Sequence, residues 1–69
     1  MVLTHNILAV EGNTVTVQFV NETNQTYVKN LMISSELNGN TDDPEFLNTI
    51  EQHKRVIIDR VNLGMIEFV

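Results

Sequence analysis

The clearest pattern along the chain is a period of two between residues 14 and 20. Val15, Val17 and Phe19 fall on one side, and Thr14, Thr16 and Gln18 on the other. Successive side chains of a strand point to opposite faces, so this segment predicts a half-buried β-strand. Residues 3–10 precede it and are rich in strand formers. Glu11, Gly12 and Asn13 separate the two segments. Gly and Asn tolerate positive φ, so they predict a tight hairpin turn. Residues 21–24 are polar and turn-prone, and a third strand is expected over residues 27–33. Its alternation is poorer. Tyr27, Leu31 and Ile33 share a face with Lys29, while Val28 and Met32 share the other with Asn30. Such mixed faces leave room for a bulge or a bend in this strand.

Residues 34–42 form the main loop, where Asn38, Gly39 and Asn40 oppose regular structure. Beyond it the period changes. Phe46, Leu47, Ile50, Ile57 and Val61 recur at spacings of three and four and make one stripe on a helix. Ile58 flanks the stripe, Lys54 falls on the same side and must snorkel, and Val56 points elsewhere. Asp43 suits the cap and Pro44 the first helical position, whose N–H needs no partner. Acidic Asp42, Asp43 and Glu45 at the start, with Lys54, Arg55 and Arg60 in the second half, complement the helix dipole. Glu51 and Arg55 stand four apart in the favourable order. The helix is expected to stop near Val61 or Asn62, with Gly64 as its left-handed end. Residues 65–69 predict a last short strand with Ile66 and Phe68 on one face. The fold class is therefore α+β, in the order β-β-β-α-β. An antiparallel three-strand meander carries one helix on one face. The last strand is expected to run parallel to the first or third, whichever it neighbours.

At 69 residues the chain is one domain, with no internal repeat and no linker. Chains this short bury a small share of their surface and rely on tight packing or on association. The absence of cysteine excludes disulfides and thiolate metal sites, and fits a reducing compartment. The net charge is −5, and Lys29, Lys54, Arg55 and Arg60 are the only basic side chains. Neither a phosphate-tracking surface for nucleic acid nor a polybasic membrane patch is expected. The longest strictly apolar run, residues 7–10, is far shorter than a membrane span. Residues 1–6 lack a basic n-region and a small-residue cleavage site, so mature protein is expected, in the cytoplasm or in a particle assembled there.

The candidate chemistry is sparse. His5 and His53 are the only side chains that titrate near neutral pH unaided. One falls on a strand and one on the helix margin, and an acid–base pair needs both in one pocket. Half-buried packing positions are the expected role. Ser34 and Ser35 lack a surrounding nucleophile elbow and a placed base, and are expected to be ordinary loop residues. Residues 38–43 resemble the start of a calcium loop. Counted from Asn38, however, the glycine and glutamate positions of an EF-hand hold Asp43 and Thr49. Loop oxygens there leave room for a weak cation site at most. The sequons at Asn21 and Asn24 are expected by chance in a chain this rich in Asn and Thr. No catalytic, cofactor-binding or metal-binding residue is assigned. The carboxylates are scattered, which favours solubility over mimicry of nucleic acid.

The most informative feature is surplus apolar surface. One helix covers one face of a sheet, and Val15, Val17, Phe19, Ile66 and Phe68 suffice to fill that side. Val20, Val28, Met32, Met65 and Val69 then lack a place, together with off-stripe Val56. A contiguous set of this kind marks a contact surface. Val20, Val28, Met32 and Val56 are the candidate interface for self-association or for docking on a protein partner.

Residues 17–22 (Val-Gln-Phe-Val-Asn-Glu), leading into a polar turn, and the closing run from Gly64 to Phe68 resemble short accessory proteins of tailed bacteriophages. The likeness covers most of the chain but carries over no functional residue. It implies a phage origin, in the host cytoplasm or the virion. The expected function is non-enzymatic interaction or structure. The alternative is a small acidic regulator that inhibits a host protein.

Overall fold

The computed structural model describes residues 1–34, 37 and 39–69. Ser35, Glu36 and Asn38 lie outside them, and with them the nucleophile reading of Ser35 and the first position of the calcium-loop reading. Three strands, β1 (Thr4–Glu11), β2 (Thr14–Val20) and β3 (Thr26–Met32), precede one helix, α1 (Pro44–Asn62). The strands form one antiparallel sheet in the order β1-β2-β3. The meander follows from its connections. Gly12 takes a φ of 58° in the two-residue link between β1 and β2, a backbone conformation glycine adopts without steric cost. The β2–β3 link is organised by Asn21, and Asn24 takes the left-handed conformation within it at a φ of 64°.

The irregularity expected in the third strand lies in the first instead. β3 pairs with β2 in unbroken register from Thr14↔Met32 to Val20↔Thr26. The β1 register shifts between Ile7 and Ala9, so that Leu8 is the extra residue of a bulge. The shift keeps both Ile7 and Val10 on the helix side, opposite Val17 and Val15. A regular strand could not face two residues three apart in the same direction.

α1 begins as its first turn dictates. The Asp43 carboxylate accepts the Phe46 N–H at 3.0 Å, and Pro44 opens the helix. It ends in a Schellman turn at Gly64, whose φ is 76°. The Met65 N–H donates to the Arg60 carbonyl (2.8 Å) and the Gly64 N–H to that of Val61 (3.0 Å). Phe46, Ile50 and Ile57 are buried against Val15, Val17, Phe19 and Leu31, with Leu3, Leu37 and Phe68 at the margins of the same core. Glu51 pairs with Lys54 (3.1 Å) rather than with Arg55. The mostly buried Lys54 stem lies along the apolar face and brings the ammonium back to the neighbouring turn.

Residues 65–69 do not form the expected fourth strand. After the Schellman turn they cross the end of the sheet near the start of β3. Val69 and Thr26 exchange both backbone hydrogen bonds (2.8 and 3.1 Å). Mutual exchange between the same two residues is the antiparallel pattern, so the parallel arrangement is also corrected. The segment still closes the core. Phe68 is buried and its ring lies 5.7 Å from that of Tyr27.

Candidate interaction surface

The register separates the two faces of the sheet residue by residue. Toward α1 lie the rows His5–Phe19–Tyr27, Ile7–Val17–Lys29 and Val10–Val15–Leu31. Away from it lie Thr4–Val20–Thr26, Asn6–Gln18–Val28, Ala9–Thr16–Asn30 and Glu11–Thr14–Met32. No described element covers this second face. Apart from Glu11 at the hairpin rim, it carries no charge, although the chain as a whole carries −5.

Three side-chain hydrogen bonds lie within the open face. Thr16 Oγ1 donates to Asn30 Oδ1 (2.9 Å), Asn6 Nδ2 to Gln18 Oε1 (3.3 Å), and Thr14 Oγ1 to Met32 Sδ (3.2 Å). These bonds satisfy part of the polar demand of the face without water, which lowers the cost of covering it to that extent. Val28 is 50% exposed and Met32 75% exposed, on either side of Asn30. Half-buried Val20 stands one row and one strand from Val28. Of the four candidate interface residues, Val20, Val28 and Met32 share this face. Val56 does not: it lies on α1, in the other layer of the molecule, 40% exposed.

The outer edge of β3 borders the open face. Thr26 directs its N–H and carbonyl outward to Val69. Orientation alternates along a strand, so Val28, Asn30 and Met32 also direct theirs outward. These three meet no backbone partner among the described residues. The other edge, β1, carries the Leu8 bulge, a device that discourages strand pairing. Sequence reasoning missed this difference between the edges. A bulge leaves no composition signal in β1 stronger than the apolar run around Leu8.

The catalytic candidates are not brought together. His5 faces Lys54 and Glu51 from β1, and its pKa is lowered by burial and by Lys54, with Glu51 opposing. His53 sits on α1 toward β3, lowered by burial, then by Lys29 and Arg60. His5 lies on β1 and His53 faces β3, with β2 between these two strands. Ser34 donates to Glu45 at 2.9 Å beside the helix start, in a recess of about 110 Å³ that neither histidine lines. A wider cleft of about 600 Å³ lies at the opposite end, between Met1, Asn21, Val61, Met65 and Glu67. Glu67 is its only ionisable side chain. The polar atoms of Asn21 are committed to the β2–β3 turn, so the cleft offers no convergent pair for proton transfer. Among the described residues no group of three or more His, Asp or Glu could hold a metal ion, and no helix is long and apolar enough to cross a membrane. No family model, curated protein or solved structure matches this chain.

Proposed function

We propose that this chain is a non-enzymatic interaction or structural protein, of phage origin, that acts by self-association or by docking on a protein partner. The observation that carries the reading is the open sheet face. It is four rows deep, nearly free of charge, linked by three side-chain hydrogen bonds, and bordered by a regular edge that among the described residues is open from Val28 to Met32. Contiguous uncovered surface of this kind is what a contact requires. The host cytoplasm or the virion is its proposed location, and neither nucleic acid nor membrane its partner.

The alternative, an acidic regulator of a host protein, draws on the carboxylates of α1. Glu45, Glu51 and Asp59 are exposed there, but Arg55 and Arg60 are interspersed with them. A surface of mixed sign steers a basic partner weakly. The test is retention of proteins on the immobilised chain, compared with Val28→Lys/Met32→Lys, at low and high salt. The interaction reading expects retention that the substitutions abolish and that salt changes little. Retention lost in salt and indifferent to both substitutions supports the regulator instead.

A further inference from the structure

We infer that the partner at this surface is a second copy of the chain, joined β3 edge to β3 edge about a two-fold axis at Asn30, into one six-stranded sheet. The inference rests on the interaction reading above and names its occupant. The edge already accepts an antiparallel partner. Val69 pairs with Thr26, the first of its outward-facing residues, through two bonds of good length. Val28, Asn30 and Met32 continue the same row. In an antiparallel pair centred on Asn30, Val28 meets Met32 of the second copy, Asn30 meets Asn30, and Met32 meets Val28. Each pair exchanges both backbone bonds.

This register is selected by chemistry. Centring the pair on Lys29 sets two ammonium groups directly opposite each other and brings Met32 onto Thr26, whose bonds Val69 already holds. Centring it on Leu31 leaves Val28 without a partner in the other β3. Only the Asn30 register engages all three outward-facing residues. It also sets two apolar pairs around a central amide pair on the open side, where cross-strand contacts add stability.

Charge does not oppose a second copy at this edge, and it disfavours a basic foreign strand. A chain of net charge −5 repels itself wherever carboxylates meet. β3 contains no acidic residue, and the open face beside it carries one, at the far rim of β1. The joined sheet keeps the other described carboxylates on the helices, turns and ends. A basic partner strand finds no carboxylate to pair with along this edge.

Edge pairing between domains this small buries less than the roughly 1,200 Å² of a standard interface, so the dimer dissociates on dilution. The test is sedimentation equilibrium from about 10 μM to about 1 mM. The wild-type chain is expected to pass from one-chain to two-chain mass. Asn30→Pro removes an N–H that has no backbone partner among the described residues, at an edge position where proline is tolerated. It is expected to weaken association by roughly tenfold or more. Val28→Lys and Met32→Glu, both at exposed positions, check the register without relying on the proline variant. Each is expected to associate weakly alone. Their mixture is expected to form a heterodimer in which the introduced lysine of one copy faces the introduced glutamate of the other. One-chain mass at every concentration overturns the inference. The interaction reading then survives only through a foreign partner whose retention Val28→Lys/Met32→Lys abolishes. A dimer indifferent to Asn30→Pro, with no preference in the mixture, also overturns it and moves the contact to another surface.

Discussion

Asn21 is the one buried polar residue among the described core, 9% exposed, and its side chain explains the shape of the β2–β3 link. Its Oδ1 accepts from the Thr23 N–H, the Thr23 hydroxyl and the Gln25 N–H at 2.9–3.0 Å, while Nδ2 donates to Gln25 Oε1 at 3.2 Å. An acceptor serving two backbone donors holds the loop that starts β3, and therefore the register of the candidate edge. It also leaves the Asn21 sequon inside the fold. Asn21→Ala strands those donors and is expected to cost about 1–3 kcal/mol in urea unfolding. Asn21→Asp keeps the acceptor and replaces one donor, so it is expected to cost distinctly less at neutral pH. Equal losses for both would mean that the amide donor, not the acceptor, organises the turn.

At the scale of elements, α1 and the sheet meet through two histidines whose charge the interface disfavours. Lys54 and Glu51 face His5 from the helix, and Lys29 from β3 and Arg60 from the helix face His53. Both pKa values lie below the ordinary histidine value of about 6.5. Between the folded and ordinary values the unfolded chain holds more protons than the folded one, so stability falls as pH is lowered through that window. Above it these groups contribute no slope. Glu22 acts in the carboxylate range. Its own backbone N–H and that of Val2, at 3.0 Å from the carboxylate, lower its pKa, so its contribution is lost only on further acidification. Melting from about pH 8 to about pH 5 is expected to decline below the ordinary histidine value, and His5→Gln/His53→Gln to remove that decline. A decline unchanged in the double variant would place its origin elsewhere. The same interface shows what the sequence made legible. Asp43, Pro44 and Gly64 announced both ends of α1 because capping is local chemistry. The three-four spacing of Phe46, Ile50 and Ile57 announced its buried face. The Leu8 bulge was hidden, since Ile7, Leu8, Ala9 and Val10 are all apolar and no alternation shows which residue is extra. Off-stripe Val56 shared a list with the sheet residues because a list of unassigned apolar positions says nothing about layers.

At the scale of the molecule, the same reasoning explains why residues 65–69 are not a strand. Ile66 and Phe68 alternate as a strand would, but alternation specifies which side chains turn inward, not whether a backbone ladder exists. The Schellman turn directs the chain across the sheet end, where Phe68 enters the core and only Val69 reaches an edge residue. The segment acts as a plug fastened at one point. A domain of this size holds on the order of 3–10 kcal/mol in total. Truncating a buried phenylalanine typically costs about 3–5 kcal/mol. Phe68→Ala is therefore expected to remove a large part of the stability in urea unfolding at low concentration, and to expose the amide of Thr26 to hydrogen exchange. Phe68→Leu keeps most of the buried volume and is expected to cost less than half as much. If Phe68→Ala loses under about 1 kcal/mol, the plug does not close the core.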